Sequence, residues 1–289
     1  MMITMSEPIR CQIMIISGQS GAGKSVAVRA LEDSGWYCVD NLPISTMRGV
    51  VDTLRAGGLS LIGLGLDARH HGSLEAIFDV IQSLRAEGVW VRLLFLEAAS
   101  SELLRRFAEA RRPHPMASEG HSLEESIKLE RIKLNPLAEQ SRRIDTTSLR
   151  PNALRAEVKA FSSADPQRLS LFIFSFGFKY GIPQEADFVF DVRFLPNPYY
   201  DPVLRPLNGQ DKAIVDFLEA QPMTQKILDD LFSLISNWLP SFISDHRHVL
   251  SIAIGCTGGQ HRSVYLAEEL AKKLSPLHPT WVVHRSLEA

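Results

Sequence analysis

"CQIMIISGQSGAGKS" (residues 11–25) is the stretch that decides the fold of the first part of the chain. Residues 11–17 are a short apolar run, which is typical of a strand buried in a parallel sheet. Residues 24–35 show the pattern of a helix that ends at Gly35. The glycine-rich segment between them lets the backbone wrap tightly and turn its N–H groups inward, which makes an anion-binding nest. The stretch therefore predicts a strand, an anion-binding loop and a helix, in that order.

This loop has the spacing that binds nucleotide phosphates. It matches the pattern G-x-x-x-x-G-K-[ST]. In that pattern Lys24 neutralises the β- and γ-phosphates of ATP or GTP, and the Ser25 hydroxyl helps to hold Mg²⁺. The alternative interpretation, a chance glycine-rich turn, is disfavoured by the strand before the loop and the helix after it. The predicted nucleotide contacts are Gly18, Gln19, Ser20, Gly21, Ala22, Gly23, Lys24 and Ser25.

An acidic residue is expected near the metal, and two aspartates are candidates. Asp40 ends the predicted strand 36–40, and Asp67 lies at the end of the apolar part of the predicted strand 59–69. Ligands of a parallel sheet bind at the carboxyl ends of its strands, so either side chain is suitably placed. The longer apolar run favours Asp67 as the acid that acts with Lys24 in catalysis and with Ser25 in metal binding. A turn-capping role is the alternative for both aspartates.

A basic helix is predicted over residues 100–112, where Pro113 stops it. It carries Arg105, Arg106, Arg111 and Arg112. Small P-loop kinases place such arginines on a lid, where they neutralise the charge of the transferred phosphate. A solvated basic face is the alternative, and both interpretations stay open at this point.

The rest of the chain alternates between strand and helix patterns, which predicts parallel sheets covered by helices on both faces. The other predicted strands are 89–97, 143–149, 169–177, 186–194, 249–256 and 281–286. The other predicted helices are 44–57, 73–88, 122–142, two within 211–239, and 263–274. We expect an α/β protein with a P-loop NTPase or kinase-like domain at 1–155 and a second, smaller α/β domain at 165–289. The boundary lies in the polar segment that contains Pro166.

A second loop, "CTGGQHRS" at residues 256–263, also lies between a predicted strand and a predicted helix, and it fits C-x₅-R-[ST]. Three interpretations are open: phosphatase chemistry at the cysteine, capture of a phosphate or phosphosugar, and a buried structural cysteine. Phosphatases usually carry His where Gly255 stands, and no acid loop is visible, so anion capture is favoured. The predicted anion contacts are Cys256, Thr257, Gly258, Gly259, Gln260, His261, Arg262 and Ser263, with Lys179, Arg193 and Arg205 as flanking cations whose alternative is ordinary surface charge.

The composition limits the compartment and the partners. With 31 Lys and Arg against 33 Asp and Glu, the formal net charge is −2, so no global attraction to nucleic acid or to an anionic membrane is expected. The three cysteines fit no zinc spacing and predict reduced thiols in a cytoplasmic protein. No apolar run approaches the ~20 residues of a membrane span, so no membrane partner is expected.

Seven motifs together resemble the RapZ family of bacterial nucleotide-binding proteins, also called the YvcJ family, over residues 11–286. They are "SGQSGAGKS", "YCVDNLP", "LDAR", "RRPHP", "SFGFKYGIP", "DFVFDVRFLPNPYY" and "IGCTGGQHRSV". The resemblance implies a P-loop domain with ATPase and GTPase activity, and a second nucleotide (GTP) motif at Asp67, Ala68, Arg69 and His70. It also implies a second domain that senses a phosphorylated amino sugar, which is glucosamine-6-phosphate in enteric members.

Enteric members of that family also bind small RNAs and deliver them to an endoribonuclease. They end in a cluster of Lys and Arg, whereas this chain ends in "VVHRSLEA". Because cationic tails bind phosphates through counterion release, the resemblance implies nucleotide binding more firmly than RNA delivery. The sequence thus predicts a cytoplasmic regulator, expected as a homo-oligomer, with ATP, GTP and Mg²⁺ as cofactors. A small-molecule kinase and an RNA adapter are the alternatives.

Overall fold

The computed structural model describes residues 11–66, 75–117, 121–164, 168–245, 247 and 249–287. The chain divides into two compact units, Met1–Thr147 and Ser148–Ala289. Each unit contains one sheet, and every strand pair in both sheets is parallel. The predicted α/β class is therefore confirmed.

The first unit is a five-stranded sheet with helices in the connections between its strands. Its strands are β1 (Gln12–Gly18), β2 (Tyr37–Val39), β3 (Leu61–Gly65), β4 (Trp90–Glu97) and β5 (Arg142–Asp145). Its helices are α1 (Lys24–Glu32), α2 (Ile44–Ala56), α3 (Glu75–Ala86), α4 (Ser100–Ala110) and α5 (Leu123–Glu139). The strand order is β2-β3-β1-β4-β5, which places β1 at the centre of the sheet.

The central position of β1 follows from its composition. Ile13, Met14, Ile15 and Ile16 are all fully buried, as expected for a strand that helices cover on both faces. In the register of the sheet, Gly18 of β1 pairs with Leu96 of β4. Gly18 is thus both the last residue of the strand and the first residue of the glycine-rich loop.

The second unit is a four-stranded sheet in the order β7-β8-β6-β9. Its strands are β6 (Ser170–Gly177), β7 (Phe188–Asp191), β8 (Val249–Cys256) and β9 (Thr280–His284). Its helices are α6 (Pro151–Ser163), α7 (Lys212–Glu219), α8 (Pro222–Ser244) and α9 (Arg262–Leu274), and short 3₁₀ turns cover Phe178–Tyr180 and Pro198–Tyr200. The buried strands β6 and β8 are the central pair of this sheet.

Helix α6 (Pro151–Ser163) overlaps the predicted boundary at 155–165. It packs against β9, and its Phe161 lies near Phe172 of β6, with ring centroids 6.3 Å apart. These contacts join α6 to the second unit, so the compact units divide after Thr147. Within the described segments, no helix has the length and apolar character needed to cross a membrane.

Candidate functional site

The loop at residues 18–25 leaves the carboxyl end of the central strand and leads directly into α1. Gly18, Gly21 and Gly23 have φ angles of 147°, 84° and 102°, which side chains rarely tolerate. A Cβ atom on Gly18 would lie 2.2 Å from the carbonyl oxygen of Leu96 in β4. The neighbouring strand therefore excludes any larger residue at the start of the loop.

The loop leaves several backbone donors for an anion. The Gln19 amide donates to a carbonyl of β4, and the Ala22 amide donates to the Gln19 carbonyl at 3.0 Å. Among the described residues there is no acceptor for the amides of Gly21, Gly23 and Ser25. These donors lie at the positive end of the α1 dipole, an arrangement that attracts phosphate.

The lysine of the motif lies within the same loop. The Nζ atom of Lys24 donates to the carbonyl oxygen of Gly18 at 2.7 Å, so the side chain folds back toward the start of the loop. Ser25 is exposed, and its hydroxyl makes no hydrogen bond to a described residue. Over the described ranges, no three His, Cys, Asp or Glu side chains group as a metal site.

Arg106 stabilises the loop through hydrogen bonds. Its Nη1 atom donates to the Gly21 carbonyl at 3.0 Å, and its Nη2 atom donates to the Thr146 carbonyl at 2.6 Å. The Thr146 hydroxyl in turn donates to the Ala22 carbonyl at 3.0 Å. Arg106 is therefore used to hold the loop, and it does not extend as a lid cation.

The other three arginines of the predicted basic helix divide into two kinds. Arg105 forms ion pairs with Glu102 and Glu109. These contacts fit the alternative interpretation, in which the arginine lies on a solvated face of the helix. Arg111 and Arg112 are exposed at the end of α4 and form no ion pair with a described residue. The cations left for a lid function are Arg111 and Arg112.

The predicted acids are placed only in part. The predicted contacts Asp67, Ala68, Arg69 and His70 lie outside the described residues. Asp40 follows β2, and its Oδ1 atom would lie 2.2 Å from a Cβ atom on Gly65 at the end of β3. Asp40 therefore lies at the carboxyl edge of the sheet, one strand away from β3 and two from β1.

A buried carboxylate, which the sequence analysis missed, contacts the loop. Glu130 of α5 accepts hydrogen bonds from the Ser20 amide at 2.8 Å and from the Ser20 hydroxyl at 2.6 Å. His114 Nε2 lies 3.3 Å from Glu130 Oε2, and neither side chain has any exposed surface. Burial by itself raises the pKa of Glu130, but the hydrogen bonds from His114 and Ser20 outweigh it and hold this pKa below its usual value. The available signal was an acid at an apolar position of α5, between Ile127 and Leu134.

The loop at residues 256–263 is built in a similar way at the end of β8. Gly259 has a φ of 71°, and a Cβ atom there would lie 2.5 Å from the Gly177 amide nitrogen. Cys256 is buried; its Sγ atom accepts from the Gly259 amide at 3.2 Å and lies 3.2 Å from the Ser263 hydroxyl. Among the described residues there is no acceptor for the amides of Thr257, Gly258, Gln260 and His261.

Arg262 differs from its predicted role as a bidentate anion fork. Only 4% of its surface is exposed, and Nη1 donates to the carbonyls of Arg193 at 2.7 Å and Leu195 at 2.9 Å. The Nε atom is buried and has no partner in the described chain. One arm of the guanidinium group, Nη1, therefore holds the segment after β7. Burial also lowers the pKa of the neighbouring His261, which makes this imidazole neutral near pH 7.

Among the flanking cations, Lys179 lies beside the loop. Its Nζ atom is 3.9 Å from the Cβ position of Gly258, and it forms no ion pair with a described residue. Arg193 pairs with Asp191 at 2.7 Å. Arg205 donates from Nε to the Tyr199 carbonyl at 3.0 Å. The remaining cationic charge at this loop is therefore carried by the Lys179 ammonium.

The two basic residues of the stretch "VVHRSLEA" are used inside the second unit. His284 lies 2.8 Å from the Ser175 hydroxyl through Nδ1 and 2.9 Å from Glu268 through Nε2. Arg285 forms a buried ion pair with Glu185. Neither side chain therefore offers free charge to a polyanion.

Comparison with known proteins covers almost the whole chain. Residues 11–165 match the family model of the RapZ-like N-terminal domain, and residues 169–288 match that of the RapZ C-terminal domain. A nucleotide-binding protein of Dechloromonas aromatica is 47% identical over 277 residues, which cover 96% of this chain and 99% of that protein. A nucleotide-binding protein of Methylobacillus flagellatus is 50% identical over 278 residues, with coverages of 96% and 99%. Among solved structures, a sugar kinase from Janibacter sp. HTCC2649 aligns at 17% identity and a TM-score of 0.36, covering 51% of this chain and 91% of that chain.

Proposed function

The chain belongs to the RapZ family, and from that premise we propose that its first unit binds ATP or GTP with Mg²⁺ and hydrolyses it slowly. The observation that carries this proposal is the set of backbone donors at Gly21, Gly23 and Ser25, with the Lys24 ammonium in the same loop. A polyphosphate needs this combination of converging amides and one cation. The names of the two relatives as nucleotide-binding proteins support it.

The groups of the loop divide the work of binding. The amides donate to phosphate oxygens, and Lys24 exchanges the Gly18 carbonyl for oxygens of the β- and γ-phosphates. The Ser25 hydroxyl and an aspartate, Asp67 or Asp40, offer the oxygen ligands that Mg²⁺ prefers. When bound, Mg²⁺ neutralises charge that develops on the phosphates.

Slow hydrolysis follows from how the acids are used. Glu130 is the carboxylate that the described residues bring to the loop, and it is already engaged by the Ser20 amide, the Ser20 hydroxyl and His114. It is therefore not available to orient or deprotonate a water molecule. A nucleotide-dependent switch tolerates such a low rate.

The second unit is proposed to capture a phosphorylated metabolite, with an amino-sugar phosphate as the class that the family implies. The amides of Thr257, Gly258, Gln260 and His261 form the anion nest, and Lys179 supplies the adjacent charge. The direction of Arg262 argues against phosphatase chemistry, because a phosphatase loop directs both arms of this arginine at the phosphate.

The nucleotide proposal is tested by binding of Mg·ATP and Mg·GTP to the full-length protein, measured by isothermal titration calorimetry. Lys24→Ala is expected to weaken both affinities by at least about 100-fold, because it removes a charge next to the polyphosphate in a partly buried loop. Lys128→Ala, an exposed lysine in the same unit, is the control and is expected to bind as the wild type. Equal binding by Lys24→Ala and the wild type would contradict the assignment of the loop.

A small-molecule kinase is the second candidate, and exposed Arg111 and Arg112 favour it because they form no ion pair with a described residue and could neutralise a transferred phosphate. Turnover that rises well above basal hydrolysis when an acceptor is added would support a kinase. An RNA-adapter role has less support, since His284 and Arg285 are used inside the second unit. Salt-sensitive retention of a small RNA would favour it.

A further inference from the structure

The buried carboxylate beside the phosphate loop suggests a role that the loop motif does not contain. We propose that Glu130 is a positioning residue of this loop, which holds the Ser20 amide and hydroxyl so that contacts with the nucleotide begin at Gly21. The inference rests on the proposed nucleotide binding. It adds a residue that lies 110 positions away from Ser20 in the sequence.

The hydrogen bonds around Glu130 have a defined direction. The Met116 amide donates to His114 Nδ1 at 3.1 Å, so Nδ1 is an acceptor and the ring proton lies on Nε2. That Nε2–H group faces Glu130 Oε2 at 3.3 Å. The carboxylate thus receives three donors, two from Ser20 and one from a neutral His114.

These donors decide whether a nucleotide displaces Glu130 or binds beside it. Both the Glu130 and the His114 side chains are fully buried, so a carboxylate displaced from Ser20 would keep one donor, His114, and would have no water to replace the other two. Leaving a buried charge in that state is strongly unfavourable. The phosphates therefore take the amides that remain, at Gly21, Gly23 and Ser25, while Ser20 stays with Glu130.

The same side of the loop is supported by α4. The ring of Phe107 lies 3.4 Å from the Cβ position of Gly21, and its centroid is 5.1 Å from that of His114. Arg106 of the same helix donates to the Gly21 carbonyl at 3.0 Å. Helices α4 and α5 together determine the path of the loop at Ser20 and Gly21, and Glu130 provides the charged contact.

The test compares two substitutions of Glu130. Glu130→Ala removes both acceptor oxygens and all three hydrogen bonds, and we expect the affinity for Mg·ATP to fall by about tenfold or more. Glu130→Gln can keep the pattern, because its carbonyl accepts from the Ser20 amide and His114 while its NH₂ group donates to the Ser20 hydroxyl. We expect it to bind within about threefold of the wild type. Glu139→Ala, an exposed acid on the same helix, is the matched control.

Amide resonances of the full-length protein supply a second readout. On saturation with Mg·ATP, the resonances of Gly21, Gly23 and Ser25 are expected to shift, and that of Ser20 is expected to stay. Movement of the Ser20 resonance with the others, or Mg·ATP binding by Glu130→Ala as tight as that of the wild type, would overturn the positioning role alone. A wild-type protein that binds no nucleotide would overturn the proposed function together with it. Hydrogen exchange of β1 and α1 checks that Glu130→Ala is folded.

Discussion

The two glycine-rich loops of this chain have similar backbone arrangements and differ in the direction of their cationic side chain. Each follows a central strand of a parallel sheet, leaves backbone amides without an acceptor among the described residues, and leads into a helix. In the first loop, Lys24 folds over its own loop and donates to Gly18. In the second loop, Arg262 turns into the protein and donates to Arg193 and Leu195.

The difference teaches that a loop motif specifies donors more reliably than it specifies charge. Both motifs predict converging amides, because glycine spacing and the helix that follows determine the backbone. The direction of a long side chain depends on which buried carbonyls lack a donor nearby, and that is a property of the tertiary structure. This difference is consistent with our proposal that the first loop binds a polyphosphate and the second a single phosphate group beside Lys179.

The largest expected difference between the loops is in stability. Arg262→Ala leaves the carbonyls of Arg193 and Leu195 without a donor, so we expect the free energy of unfolding of the second unit to fall by about 2–4 kcal/mol. Lys24→Ala is expected to change the stability of the first unit by less than about 0.5 kcal/mol. Urea titrations followed by hydrogen exchange of peptides from each unit measure both values.

Lys272→Ala, on the exposed face of α9, is the control for Arg262→Ala and is expected to cost less than about 0.5 kcal/mol. If Arg262→Ala were as stable as this control, the buried arginine would have no structural role. The two loops would then use their cations in the same way.

A smaller effect is expected at the cysteine of the second loop. In Cys256→Ser the hydroxyl still accepts from the Gly259 amide, so we expect the affinity for glucosamine-6-phosphate to stay within about threefold of the wild type. The wild type is expected to release no phosphate from an aryl phosphate ester. Hydrolysis by the wild type that is lost in Cys256→Ser would instead identify a thiolate nucleophile and restore the phosphatase interpretation.

The smallest effect concerns pH. Burial lowers the pKa of His261 below its usual value of 6.5, so the imidazole is mostly neutral above that pH and loses little further charge as the pH rises. Sulfate, which does not titrate in this range, is therefore expected to bind with the same affinity, within about twofold, from pH 6.5 to about pH 8. Titrations followed by the amide resonance of Gly258 measure this. An affinity that decreases steeply through pH 7 would reveal a protonated His261 in the anion site.

Most of the fold could be predicted from the sequence because its signals are local. The apolar run of β1, the glycine pattern and the start of α1 at Lys24 lie within one short stretch, and the structure contains each of them. The place of α6 could not be predicted in this way. Its assignment to the second unit depends on contacts with β9, which is more than a hundred residues further along the chain.

The features of the candidate site also divide into those that local sequence predicts and those that depend on tertiary contacts. The backbone donors of both loops follow from local spacing, whereas Glu130 reaches Ser20 through a contact between distant segments. An acid at an apolar position of α5 was a usable signal, since a buried carboxylate needs donors. The direction of Arg262 had no comparable signal, because the pattern C-x₅-R-[ST] contains no information about Arg193 or Leu195.

Gly18 belongs both to β1 and to the first loop, and this constrains the number of residues in β1. Gly18 closes the pairing with Leu96 and opens the turn, so adding or deleting one residue in β1 would reverse the pleat and direct the whole nest to the opposite face. A strand tolerates an added or deleted residue only where its hydrogen-bonded pairing does not end in a loop of this kind. Insertions and deletions are therefore expected at the amino end of β1 and not at its carboxyl end.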